Sequence, residues 1–191
     1  FVIQGVLGGR FVPPEPIARE LSNFKAPLGV VAVLGNHDWW FDGERVRRAL
    51  TSEGITVLTD QNLRMNFNGK PFWLMGLDDL WTRGDHLQST IAEIHDDEPI
   101  IALAHNPDIF PAMTPRVTLT LAGHTHGGQV RLPFVGRPIV PSKFGQRFAA
   151  GQIVEGGRPL YVATGIGTSI LPVRFRVPPA VTILTLVSDS L

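Results

Sequence analysis

The chain has 191 residues, no cysteine, and 17 basic residues balanced by 17 acidic ones. That length suits one domain, read here as residues 1–191. The absence of cysteine excludes disulfides and thiolate metal sites, and zero net charge argues against the basic footprint of a nucleic-acid binder. The longest apolar runs are about five residues, against the roughly 20 that a membrane-spanning helix needs.

Residues 1–13 begin apolar, end at Pro13-Pro14, and read as a loop. Residues 17–24 read as a short helix. Residues 28–34 form a nearly continuous Val-rich run, the pattern of a strand buried on both faces, and lead into Gly35-Asn36-His37-Asp38. Asp42 is placed to N-cap a helix ending near Glu53, with Val46, Ala49 and Leu50 on one face and Gly54 as its stop. Residues 63–67 and 72–76 flank Asn68-Gly69, a strong hairpin signal. A further helix is expected over 86–95. Residues 100–104 read as a buried strand ending at His105, and 117–121 as a strand ending at Gly123-His124. Later strands are expected at 152–154, 160–163 and 181–186. Strands interleaved with helices make the class α/β.

Three apolar strands thus end in polar, His-containing turns. Ligands collect at the carboxyl ends of parallel strands. Strands lying side by side would bring Asn36, His37, His105, His124 and His126 to one sheet edge. Imidazole and amide oxygen suit borderline divalent metals such as zinc, manganese and iron. His124 and His126 would share a face on a strand, but a tight turn through Gly123 and Gly127-Gly128 lets them diverge toward two metals. A metal pair clamps the attacking and leaving oxygens of a phosphate ester and yields hydroxide near neutral pH. His37 is placed to protonate a leaving alkoxide, with Asp38 to orient its ring.

Gly35-Asn36-His37-Asp38, His105-Asn106-Pro107 and the run Gly123-His124-Thr125-His126-Gly127-Gly128-Gln129, in that order, resemble the calcineurin-like metallophosphoesterase family. The likeness is to its bacterial branch of YkuE- and YaeI-type phosphoesterases. It continues through Arg131-Leu132-Pro133 and the Pro-rich closing segment. The resemblance implies a layered β-sandwich flanked by helices. It implies two divalent metal ions, with Asn36, His105 and His124 on one and His126 on the other. It implies His37 as proton donor with Asp38 orienting it, and hydrolysis of phosphomonoesters or phosphodiesters by metal-activated hydroxide.

The family pattern also has Asp-x-His and Gly-Asp blocks upstream. No Asp-x-His precedes Asn36, and no acidic residue precedes Glu15. Either the chain begins just after the Gly-Asp block, leaving the N-terminal strands missing, or Gly5-Val6 stands in its place. The first reading implies weak metal binding, little turnover and a self-associating chain. It also supports an alternative function: a catalytically incomplete remnant or binding scaffold. The expected partner is a small phosphate ester or a lipid-linked phosphate. Membrane association through an upstream segment stays open, as does a cytoplasmic or inner-membrane placement in a bacterium.

Other residues carry two readings each. Asp78-Asp79 reads as a surface turn in preference to a cleft lining. Trp39-Trp40-Phe41 either wall the substrate site or pack. Arg131 and Arg137 either meet a phosphate or are ordinary exposed arginines. His86 and His95 read as surface residues.

Overall fold

The computed structural model describes residues 2–6 and 12–187. Two sheets face each other. The smaller is parallel, with order β1-β2-β3: β1 is Val2–Gln4, β2 Val31–Val33 and β3 Thr56–Val57. The larger has order β4-β5-β6-β7-β9-β8, from β4 (Gln61–Phe67), β5 (Lys70–Gly76), β6 (Ile100–Leu103), β7 (Val117–Ala122), β8 (Gly151–Glu155) and β9 (Arg158–Val162). Its centre, β5-β6-β7-β9, is parallel, and an antiparallel strand closes each edge.

The period-2 alternation of strand side chains divides the apolar residues into layers. Val31 and Val33 of β2 meet Leu74 and Leu103 of the larger sheet, with Leu58, in the space between the sheets. Ala32 and Leu34 face the other way. They pack against Ala18 of α1 (Pro14–Leu21) and Val46, Ala49 and Leu50 of α2 (Asn36–Ser52). On the far face of the larger sheet, Ile100, Ala102 and Leu160 pack with Phe110, Phe148 and Leu87 of α3 (Leu87–Ala92). The sandwich flanked by helices is therefore the expected one, and its layers follow from alternation in the strands.

Several local expectations shift. Val2–Gln4 is a strand, not part of a loop, because it pairs in register with Val31–Val33; residues 1 and 7–11 of that expected loop lie outside the described residues. The first helix begins earlier than expected, with Pro14 in its first turn, where a missing N–H costs nothing. Asp42 does cap a helical segment, accepting from Arg45 N at 3.0 Å. Yet α2 already starts at Asn36, and Asp42 marks an extended break inside it (φ −174°, ψ 84°). Asn68 and Gly69 both take positive φ (53° and 80°), as a two-residue hairpin turn of this hand requires. The strand expected at 181–186 does not form. Val181 and Ile183 are exposed, and a strand needs a neighbour to pair with; the described side-chain contact there is Tyr161 Oη to Thr182 Oγ1 at 3.0 Å. No helix among the described residues is long and apolar enough to cross a membrane.

Candidate metal centre

The chain leaves β2 at Gly35-Asn36, β6 at His105 and β7 at His124. The three strands do not lie in one sheet, as side-by-side alignment would have it. β2 belongs to the smaller sheet and β6 and β7 to the larger, so the residues meet across the open top of the sandwich. Cross-links hold the strand ends level. Gly123 N donates to His105 O at 2.9 Å, Gln4 Nε2 donates to Ala104 O at 3.2 Å, and Gly5 N donates to Val33 O at 3.0 Å.

Three heteroatoms converge there. Asn36 Oδ1 lies 3.1 Å from His105 Nε2 and 3.1 Å from His124 Nδ1, and the two nitrogens are 3.2 Å apart. All three residues are buried. Burial, and then the neighbouring His124, push His105 down to about 3; burial is also the largest cause that pushes His124 down to about 4. Both rings are therefore uncharged at neutral pH, with one N–H each. If those protons face inward, two N–H groups crowd one oxygen and each other. The outward nitrogens, His105 Nδ1 and His124 Nε2, are then buried acceptors without a donor. If the protons face outward, three lone pairs converge. A divalent cation among the lone pairs resolves the second arrangement, so this donor set fits one. In either arrangement His105 Nδ1 and His124 Nε2 have no hydrogen-bond partner among the described residues, so the convergence of lone pairs at the centre is what carries the fit.

The approach is close enough to restrict the backbone. A Cβ on Gly35 would fall 2.6 Å from the His105 ring, so only glycine lets β2 pass this near. His124 and His126 both adopt left-handed backbone (φ 67° and 51°), a strain of about 1–3 kcal/mol each. That strain turns the two rings apart, as the tight-turn reading of the motif expects. His124 joins the triangle, whereas His126 Nδ1 lies 3.2 Å from Gly167 O. Thr125, between them, donates from Oγ1 to Ala149 O at 2.7 Å and anchors the turn to the core.

His37 sits at the rim, with Nε2 3.2 Å from Ser169 Oγ and its ring 4.9 Å from Trp40, edge-on. Burial lowers its pKa, opposed by the charge of Asp79. The expected pairing of Asp38 with His37 is not the arrangement found. The Asp38 carboxylate accepts from Gly35 N at 2.8 Å and Val6 N at 3.0 Å, tying the start of α2 to the end of β1. An acidic group at a helix N-terminus is favoured there by the exposed N–H groups.

Other readings resolve as follows. Asp78 and Asp79 are buried, not a surface turn. Asp78 accepts from Trp39 Nε1 at 2.7 Å, Asp79 accepts from Trp81 N and Thr82, and burial raises the pKa of both. Trp39 therefore packs, while Trp40 is exposed beside His37. Arg137 is committed to Gly127 O at 2.8 Å, and Arg131 is exposed. His86 is an exposed partner of Asp60, and His95 is exposed. Sequence reasoning missed Trp81, whose ring meets His124 edge-on at 4.4 Å, and Ser169, which reaches His37 from 132 residues away. The run Asp78-Asp79-Leu80-Trp81, following a strand that points at the site, was the available signal for Trp81. Ser169 carried none.

Comparisons with known proteins agree with the motifs. The family model for calcineurin-like phosphoesterases matches residues 5–128. The uncharacterized metallophosphoesterase YkuE of Bacillus subtilis is 35% identical over 178 residues, covering 92% of this chain and 61% of the relative. The phosphodiesterase YaeI of Escherichia coli is 38% identical over 160 residues, covering 82% of this chain and 57% of the relative. The putative metallophosphoesterase F40B5.2 of Caenorhabditis elegans is 32% identical over 174 residues, covering 80% of this chain and 33% of the relative. The chain thus spans about three fifths of the length of the two bacterial relatives. No solved structure matches. With the matched region holding all three histidine-bearing turns, the chain belongs to the calcineurin-like phosphoesterase family.

Proposed function

We propose that the protein hydrolyses phosphate esters at a dinuclear divalent-metal centre, with Asn36, His105 and His124 as ligands of one metal and His126 of the other. The observation that carries this reading is the buried triangle of Asn36 Oδ1, His105 Nε2 and His124 Nδ1 at 3.1–3.2 Å. The metals, when bound, supply Lewis acidity toward the phosphoryl oxygens and make water acidic enough to lose a proton near neutrality. The family is one of divalent-metal proteins, and the name of the Escherichia coli relative supports a phosphodiester among the substrates. A small phosphate ester or a lipid-linked phosphate both suit an open rim.

The chain's own side chains have separate tasks. Asn36, His105 and His124 present neutral donors, so a bound cation is not repelled by the protein. His37 holds or gives a proton at Nε2 to the departing alkoxide, and Ser169 Oγ fixes the direction of that nitrogen. Asp38 acts at one remove, locking the turn that carries Asn36 and His37. Trp40 and Trp81 meet the rings of His37 and His124 edge-on and form part of the rim beside them.

One observation favours a second reading, a scaffold of the same fold without turnover. Among the described residues, no three His, Asp or Glu side chains converge, so no carboxylate joins the triangle. Loading the chain with manganese or zinc and assaying a bis(aryl) phosphodiester separates the two. Turnover that vanishes in His124→Ala supports hydrolysis. Metal bound at the triangle without turnover supports the scaffold.

A further inference from the structure

Arg174 follows β9 in a stretch, residues 156–188, that holds no acidic residue at all. Its guanidinium is half-buried, and burial lowers its pKa. Five carbonyls take up its charge. Nε donates to Gly167 O at 3.1 Å, Nη1 to His126 O at 3.4 Å and Val177 O at 3.2 Å, and Nη2 to Thr164 O at 2.8 Å and Gly165 O at 3.3 Å. Nη2 also reaches Gly167 O. The rigid planar fork of arginine can span such a ring of acceptors; a lysine ammonium, a point charge, cannot.

Two of the five carbonyls belong to the setting of His126. One is its own. The other, Gly167 O, is also 3.2 Å from His126 Nδ1. A carbonyl has two lone pairs and no proton, so this contact is a hydrogen bond only when Nδ1 carries the hydrogen. The ring's other nitrogen, Nε2, is then left with its lone pair. The same turn is gripped from its other side by Arg137 Nε on Gly127 O at 2.8 Å. A Cβ on Gly127 would lie 2.7 Å from Val177 Cγ1, so the turn packs directly on the segment that Arg174 holds.

We propose that Arg174 is a positioning residue for His126. By fixing the Gly167 and His126 carbonyls in one fork, it sets the ring as the Nδ1–H tautomer and leaves Nε2 as the free metal donor. The inference rests on reading His126 as the ligand of a second metal. Metal-binding histidines usually have their other nitrogen held by an acceptor in this way. Here the acceptor is itself held by an arginine 48 residues further along the chain.

The test is long-range ¹H–¹⁵N NMR of the histidine rings in the metal-free 191-residue chain at pH 7.5, with exposed His86 as internal control. The wild type should show His126 as Nδ1–H. Arg174→Ala should show averaged tautomers at His126 with His86 unchanged, and Arg174→Lys should show the same averaging to a lesser degree. His126 as Nε2–H in the wild type, a measurement that no folding defect can confound, would overturn the proposal. So would a folded Arg174→Ala, or Arg174→Lys if the alanine variant unfolds, with the wild-type tautomer. Zinc titration then separates this inference from the reading it rests on. Loss of about 10- to 100-fold in affinity at the His126 site of Arg174→Ala is the expected second-sphere effect. A fixed tautomer with no zinc at His126 in the wild type keeps the positioning role and removes the ligand role.

Discussion

The triangle and the rim are built differently. Asn36, His105 and His124 each follow directly from a buried strand, and their positions are set by the same packing that sets the two sheets. His37 and His126 are only partly buried and are held by loop contacts from residues 167–174, far along the chain. Donors placed by the core are rigid because moving them means moving strands. Donors placed by loops can be adjusted or lost at little cost to the fold. Stability and metal seating should therefore fall together at the triangle and separate at the rim.

The largest effect expected is that of Leu103→Ala. Leu103 is fully buried between the sheets, two residues before His105. The substitution should cost about 2–5 kcal/mol, read by denaturant unfolding, and should weaken metal binding in the same sample. Gly35→Ala comes next, at about 1–3 kcal/mol, because its Cβ overlaps the His105 ring. A Gly35→Ala protein with wild-type stability and metal affinity would break the link between packing and the triangle.

Acid should expose the same coupling. An unfolded histidine titrates near 6.5, whereas folded His105 and His124 are depressed to about 3 and about 4. Between those values and 6.5 the unfolded chain binds more protons than the folded one. Stability is therefore full above pH 6.5 and is lost as pH falls toward 4 and then 3. Unfolding midpoints at pH 7.5, 6 and 5 should decline, and the decline should be shallower in His105→Asn. The smallest effect belongs to the rim. Trp40→Ala, at a position 61% exposed, should stay within about 0.5 kcal/mol of wild type. His37→Ala should unfold much as wild type does while reducing any phosphodiester turnover about a hundred- to ten-thousand-fold.

The same division explains what could be read without a structure. The triangle was legible because each donor directly follows an apolar run, and such runs announce strands. That the site spans two sheets was not legible. The pattern of residues 31–33 is that of a buried strand in either sheet, and only pairing with Val2–Gln4 and Thr56–Val57 assigns it. Asp38 is expected beside the His37 ring, and its carboxylate instead accepts from the backbone N–H groups of Gly35 and Val6. Adjacency to His37 suggested a side-chain pair, but at a helix start the nearest unpaired donors are backbone N–H groups. Residues 181–186 (Val-Thr-Ile-Leu-Thr-Leu) have the β-branched, apolar composition of a strand, yet composition supplies only half of one; the pairing partner is the other half. Ser169 and Arg174 act across 132 and 48 residues, a range at which no local pattern operates.

The most direct test of the triangle as a metal seat is calorimetric zinc titration of the chain beside His105→Ala, His124→Ala and His37→Ala. The geometry predicts an ion whose binding is lost in both triangle variants and kept in His37→Ala. Zinc held as tightly by His124→Ala as by the wild type would contradict it.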